Sequence, residues 1–451
     1  MKTICVVGAG PAGLYAAQKI ALAGHQVLIL NRDIKPGGLA EYGIYPLKHK
    51  MKDGLRKQFA KILALPTVHY FGHVPVGEGA AISVEDLRQF NPAALVFAVG
   101  AQGTKRLGVP GEDAAGVYSA KDFVYHYNLL PPFASRDFST GKRVAIVGMG
   151  NVMVDIARWL LQDDPERKTE EVIVVARRGP FEAKFDEKEF AHIEMHLDRP
   201  AFYDELRRVQ ERLTAVGQDV AGVPEATFPT LAKAGQELVG PRLTFRFLSS
   251  PQAIHRDASG RIARLTLTEN QLVMRDGGTA AKATDQTAEL DVDTMIFAIG
   301  DVVDSALGLP CGPGGYLTNP DLNDPQRAAY EVFDPGHGKV LEGAFVVGWA
   351  RKASEGLVGI ARRDAETGAA RVLRYLEGVE EKPAASAEQI PRLLEHKGVQ
   401  AVAKADLRYL AQAEEKQAQE RGTESFKYGE DSAMLWAIEQ RRSKLGDALA
   451  A

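Results

Sequence analysis

Cysteine is nearly absent: Cys5 and Cys311 are the only two in 451 residues, and neither belongs to a Cys-x-x-Cys pair. That excludes an iron–sulfur cluster carried by this chain, a four-cysteine zinc site and a dithiol redox motif. Cys5 lies in the apolar run 4–7 and reads as a small buried hydrophobe. A surplus of one charge is also missing. Lys and Arg number 55 against 59 Asp and Glu, a net charge of −4, which argues against a nucleic-acid binder and against a cationic membrane-surface protein. No apolar run reaches the ~18 residues that a spanning helix needs. No signal-peptide pattern precedes the first apolar run, so the expected compartment is cytoplasmic. His49, His69, His73, His126, His192 and His196 show no metal-ligand spacing, and no metal is expected.

What remains is a soluble-type balance, 45% hydrophobic and 25% charged, long enough for about three domain-sized units. Two segments share one layout. Residues 2–13 (KTICVVGAGPAG) and 142–153 (KRVAIVGMGNVM) each run from an apolar stretch through Gly-x-Gly into helix-like sequence. Second apolar runs follow at 27–30 and 172–175. Both are βαβ patterns, the repeating piece of a doubly wound sheet. Further apolar runs occur at 68–71, 95–99, 294–299 and 344–347, and the last three stop at Gly100, Gly300 and Gly348. A glycine there lets a ligand approach the backbone at the carboxyl end of a strand. Residues 265–268 and 289–293 read as an antiparallel excursion, with the polar 276–287 between them as a loop. A linker-like stretch at 380–390 precedes a charged, helix-prone tail at 390–442, read as a solvated flank.

Gly8, Gly10 and Gly13 complete a Gly-x-Gly-x-x-Gly. The first permits the tight turn, the second lets a pyrophosphate approach, and the third packs helix on strand. Pro11 suits the first helical turn, where its missing N–H costs nothing. An acidic residue usually ends the following strand and holds the ribose; here the position is Asn31, with Asp33 two residues on. The second fingerprint has Gly148 and Gly150, but Met153 stands in the third position. Arg177 and Arg178 follow its second strand. Guanidinium groups there suit a 2′-phosphate, so NADP(H) is favoured over NAD(H). Asp301 reads as a strand-end residue.

With both fingerprints placed, the chain resembles the adrenodoxin-reductase-type ferredoxin:NADP⁺ reductases, relatives of the glutamate synthase small subunit. The likeness runs through 6–17, 150–158, 176–190, 246–254 and 348–359. It implies an α/β fold of two Rossmann-like dinucleotide-binding domains. The NAD(P) domain (106–325) is inserted into an FAD domain (1–105 and 326–385), with a helical tail at 386–451. It implies FAD at Gly8, Gly10, Pro11, Ala12 and Gly13, with Ala12 inside the matching motif. Gly100, Gly348, Trp349, Gly356, Leu357 and Val358 complete that site. NADP(H) is implied at Gly148, Gly150, Asn151, Val152, Asp155, Arg177 and Arg178, and Glu189 matches an acidic residue near the nicotinamide nucleotide.

Three features depart from the family. Ala353, Ser354 and Glu355 replace its Gly-Pro-Thr. Leu47, Lys48 and His49 stand where it has an acidic residue and a histidine, and residues 42–52 are rich in Lys and His. The stretch 224–235, which some members use to dock an acidic ferredoxin, carries little positive charge.

The implied reaction is hydride transfer between a nicotinamide and a flavin, coupled to one-electron exchange with ferredoxin. No side chain need act as a nucleophile. The alternative is the flavin subunit of a larger complex, passing electrons from an iron–sulfur subunit of an aldehyde- or 2-oxoacid-oxidising enzyme to NAD(P)⁺. A flavin monooxygenase and a non-catalytic FAD-bearing scaffold are further alternatives.

Overall fold

The computed structural model describes residues 1–232, 238–352, 358–380 and 389–450. It divides into two units. One comprises residues 1–104, 125–136 and 300–451, the other 105–124 and 137–299. Each is a Rossmann-like α/β unit.

The first unit is built on a seven-stranded sheet. In spatial order its strands are Glu331–Asp334, Lys339–Val346, Ala94–Phe97, Thr3–Val7, Gln26–Leu30, Val68–Gly72 and Val402–Ala403. The five inner strands are parallel and the two edges antiparallel. Strand residues alternate between two cores, as a sheet covered on both faces requires. Ile4, Val6, Val27 and Ile29 face the side covered by the Pro11–Leu22 and Val358–Glu377 helices. Cys5, Val7, Leu28 and Leu30 face the other core. Those two helices meet through small residues, Ala16, Ala17, Ala365 and Ala369 among them, all fully buried. The chain leaves Thr3–Val7 for one neighbour and returns to the other, Ala94–Phe97. Ligands bind at that switch point in open α/β sheets.

The second unit holds a five-stranded, all-parallel sheet. Its order is Val117–Ser119, Thr294–Phe297, Arg143–Val147, Glu171–Val175 and Arg242–Arg246. A three-stranded antiparallel sheet follows from Ser249–Arg256, Ile262–Arg275 and Gly278–Asp291.

Three readings of the sequence change. Residues 276–287 are not a loop: only Asp276 and Gly277 turn, both with positive φ (49° and 77°), and the pairing resumes at Gly278. Positive φ at both central residues marks the tight hairpin turn that Asp-Gly favours. The strand is polar because most of its residues face solvent. The charged tail is not a bare flank. Val402 and Ala403 extend the first sheet, and Ile390, Leu394, Val402, Leu410, Met434 and Ile438 are buried. Residues 300–325, expected in the second domain, fall with the first unit: Asp301 and Val302 pair with Thr104 and Gly103.

Candidate functional site

In the first unit the chain leaves Thr3–Val7 through Gly8, at φ +103°. A Cβ there would lie 2.6 Å from the Ala98 carbonyl oxygen, and one on Gly13 would lie 1.9 Å from that of Gly8. Both glycines are demanded by the fold. Gly10 is different: an added Cβ meets nothing within 4 Å. It borders an open cavity at the amino end of the Pro11–Leu22 helix, where unpaired N–H groups and the helix dipole favour an anion.

Gly8, Gly10, Pro11, Ala12, Asn31, Gly100, Trp349 and Val358 all line this one cavity. Gly13 and Gly348 stand behind it. At φ +66°, Gly348 would place a Cβ 2.5 Å from that of Ala12. Gly356, Leu357 and the 353–355 departure lie outside the described residues.

Asn31 does something other than await a ribose. It is buried, and its Oδ1 accepts from the Ala9 N–H at 2.9 Å. Its Nδ2 donates to the carbonyls of Asp33 (2.7 Å) and Lys35 (3.1 Å). The amide therefore ties the glycine turn to the loop after the second strand. A carboxylate would face those two carbonyls with no proton to give. Asp33 lines the cavity beside it, held by the Arg32 guanidinium at 2.8 Å.

Two features carried no sequence expectation. Gly37 and Gly38 both have positive φ, and the Gly37 N–H donates to the Ala9 carbonyl at 2.7 Å. A Cβ on Gly38 would come within 3.1 Å of the Gly10 Cα, so this loop runs directly against the glycine turn. The paired glycines after the second strand were the available signal. Asp364, in the Val358–Glu377 helix, accepts from the Gly348 N–H at 2.6 Å and from the Tyr330 hydroxyl at 3.2 Å. It also pairs with Arg351, whose guanidinium lies 4.4 Å from the Tyr330 ring. No local motif marks it.

Beside the Gly37–Gly38 loop lies a buried charge cluster. Glu41 accepts two bonds from Arg56 (2.7 and 2.8 Å) and pairs with Lys427 at 2.7 Å. Burial raises the affinity of this carboxyl for a proton, but Lys35, Arg56 and Lys427 outweigh it and hold the group well below the usual carboxylate range. Burial, reinforced by Lys427, pushes the Lys52 ammonium down to about 7; its Nζ donates to Asn128 Oδ1 at 2.8 Å. Burial likewise brings Lys427 down to about 8, against the pull of Glu41.

The second unit repeats the turn. Gly148 has φ +124°, and a Cβ there would lie 2.3 Å from the Ala298 carbonyl oxygen. Gly150, preceding the Asn151–Arg158 helix, again faces open space. Met153 is fully buried in the position of the missing third glycine. Gly148, Gly150, Arg177 and Arg178 line one cavity. Lys105, Arg106 and Lys184 join them, so five cations face a single carboxylate, Glu182. Glu182 is engaged elsewhere, accepting from the Gly179 N–H and from Gln218 and Thr279. Neither Arg177 nor Arg178 has a carboxylate partner among the described residues, which leaves both guanidiniums available to an anion.

Asn151, Val152 and Asp155 lie on the adjoining helix, outside that lining. The Asn151 Oδ1 accepts from the Asp186 N–H at 2.7 Å and holds the 184–186 segment against the turn. Glu189 sits in the short Glu187–Phe190 helix and does not line the cavity.

Both cysteines are free thiols, one buried and one exposed, and burial pushes the Cys5 thiol up to about 12. Among the described residues no group of three or more His, Cys, Asp or Glu could hold a metal, and no helix is long and apolar enough to cross a membrane.

Residues 2–199 match the family described as pyridine nucleotide-disulphide oxidoreductase. Among curated proteins, the NADPH-ferredoxin reductase FprA of Mycobacterium leprae is 31% identical over 87% of this chain and 88% of its own length. The mitochondrial NADPH:adrenodoxin oxidoreductase of Bos taurus is 28% identical over 96% of this chain and 91% of its own. Among solved structures, Mycobacterium tuberculosis FprA in complex with NADPH superposes with a TM-score of 0.80. It is 27% identical and covers 97% of this chain and 99% of its own.

Proposed function

We propose that this chain, which belongs to the NADPH-ferredoxin reductase family of flavoproteins, exchanges electrons between NADPH and a one-electron iron–sulfur partner through bound FAD. One observation carries the reading. Each unit has one glycine, Gly10 or Gly150, whose missing side chain opens a cavity at a helix amino end, and only the second cavity is ringed by cations. FAD fits the first site and NADPH, with its extra phosphate, the second.

At the first site Gly10, at the amino end of the Pro11–Leu22 helix, would receive the FAD pyrophosphate. Asn31 fixes the turn that receives it, and Asp33 is the carboxylate placed for the ribose. Gly100, Trp349 and Val358 close the cavity, and Asp364 holds the backbone at Gly348. At the second site Gly150 admits the pyrophosphate, and Arg177 and Arg178 take the 2′-phosphate. Val152 and Asp155, on the helix that begins after Gly150, and Glu189, in the Glu187–Phe190 helix, complete the proposed nucleotide site.

When bound, FAD supplies the conversion between a hydride donor and a one-electron acceptor. Each NADPH delivers two electrons. It therefore reduces two ferredoxins, or two equivalents of an iron–sulfur subunit, and leaves NADP⁺ and one proton. The buried, isolated Cys5 and the distant Cys311 offer no dithiol step, so disulfide reduction is not the activity despite the name of the matched family. Two free thiols also fit a reducing compartment, the cytoplasm. The test is turnover of the FAD-loaded chain with NADPH and a purified ferredoxin. Two ferredoxins reduced per NADPH supports the reading; NADPH consumed with oxygen alone, at the same rate without ferredoxin, points to an oxygenase.

A further inference from the structure

We propose that the outward face of the His49–Leu63 helix is the docking surface for a small acidic iron–sulfur protein. The inference rests on the reductase reading and names where its partner binds.

The chain as a whole is slightly acidic, at net −4. This one helix carries Lys50, Lys52, Arg56, Lys57 and Lys61 against a single carboxylate, Asp53. Two of the cations are already engaged: the buried Lys52 donates to Asn128, and the partly exposed Arg56 pairs with Glu41. Arg56 also takes up Asp53, at 3.1 Å. Lys50, Lys57 and Lys61 are left. All three are exposed, and none has a carboxylate partner among the described residues. At 100° per residue they fall within about 20° of one line along the helix. They form one continuous cationic stripe. His49, at its start, has the exposed carboxylate of Glu424 3.7 Å away.

Gly54 lies beside the stripe between Lys50 and Lys57, about 40° off its line. It is exposed, has no positive φ, and a Cβ there would meet nothing within 4 Å. Glycine is among the poorest residues for a helix interior. Among the described residues nothing requires one here. The missing side chain leaves the helix backbone open to the close approach of a partner. Leu47 and Met51, each more than half exposed, add an apolar contact at the amino end. The inner face is anchored to the first site. Tyr15 of the Pro11–Leu22 helix donates to Gln58 at 2.6 Å and packs edge-on against Phe59. The stripe is thus about one helix diameter, ~10 Å, from the helix that begins at the FAD cavity. A fifteen-residue helix face suits the small, weakly held interfaces of electron-transfer encounters, steered by charge and released by salt.

The test is calorimetric titration of the FAD-loaded full chain with a purified acidic [2Fe–2S] ferredoxin, at low salt and at high salt. Reduction of the neutral quinone menadione by NADPH is followed alongside. Lys50→Glu, Lys57→Glu and Lys61→Glu combined should weaken ferredoxin binding by about tenfold or more and flatten its salt dependence, since such steering is screened beyond ~10 Å at 0.1 M salt. Gly54→Trp should weaken binding without changing any charge. Menadione reduction should be unchanged in both. Reversal of Lys282, Lys339 and Lys416, which lie off the stripe, should leave binding intact. Unaltered affinity in the stripe variants, equal loss in the control variant, or no binding by the unmodified protein overturns the docking surface. Loss of menadione reduction by the unmodified protein would instead count against the reductase reading.

Discussion

The side-chain oxygen of Asn31 accepts a hydrogen bond from the backbone N–H of Ala9, 2.9 Å away and buried. The strand that ends at Asn31 thereby holds the first glycine turn in shape. Replacement by alanine leaves a buried N–H unsatisfied, a loss of about 1–3 kcal/mol. Asn31→Asp keeps the acceptor but sets a carboxylate against the carbonyls of Asp33 and Lys35, and should be at least as damaging. Thermal melting of the two variants checks this. An unchanged melting temperature in both would mean that the amide is not a structural tie.

Gly10 and Gly13 should respond in opposite ways to the same change. Gly10→Ala points a methyl into the open cavity, so the chain folds with near-normal stability but loses affinity for FAD. Gly13→Ala drives a methyl into the Gly8 carbonyl, 1.9 Å away, and should lower the yield of folded protein whether or not FAD is present. Melting of the apoprotein separates the two, and a similar melting temperature for both would contradict the division of roles.

Arg177 and Arg178 should discriminate between nucleotides. Charge-assisted bonds to a phosphate contribute about 1.5–3 kcal/mol each, roughly 10- to 100-fold in affinity. Arg177→Ala and Arg178→Ala should raise the KM for NADPH by that order and leave that for NADH within about twofold. Parallel KM measurements decide it; equal losses with both nucleotides would assign the arginines to a part that NADH shares.

The lysines near Glu41 set a pH dependence. In the unfolded chain Lys52 has the ordinary lysine affinity for protons, and in the folded chain it is pushed down to about 7. Between those values the unfolded state binds more protons, so stability rises with pH from about 7 towards 10. Lys427, at about 8, contributes in the same direction over the upper part of that range. Glu41 acts at the other end. Its carboxyl is held below its unfolded value, so the stability that it brings is present above the usual carboxylate range and is lost as the pH falls. Denaturant midpoints from pH 7 to 9.5 should climb, and climb less in Lys52→Met. A flat profile, or the same slope in the variant, would contradict the buried, neutral-leaning amine.

Much of the site could be read directly because glycine has few substitutes where φ is positive or a ligand must touch the backbone. Gly8, Gly10, Gly148 and Gly150 announce themselves at fixed spacing after an apolar strand. Arg177 and Arg178 are legible for a related reason, since they follow the second strand of a recognisable βαβ pattern. Asp364 is not legible: it lies 16 residues beyond Gly348, in an ordinary amphipathic helix, and only the fold brings the two together. The Gly278–Asp291 strand was hidden by its polarity, because a solvent-facing strand beside a tight turn has the composition of a loop. In the tail, the buried Leu410 and Met434 lie among so many charges that the apolar face is diluted.

In the proposed reaction, hydride passes to FAD, its pyrophosphate at Gly10, from NADPH whose pyrophosphate and 2′-phosphate are held at Gly150 and Arg177. Anaerobic stopped-flow absorbance of the FAD-loaded chain tests it most directly, by comparing NADPH with NADH. Rapid loss of the oxidised-flavin band near ~450 nm with NADPH, much slower with NADH, is the expected result. Bound FAD that keeps its band in excess NADPH would contradict the claim and leave a flavin-bearing chain without reductase activity.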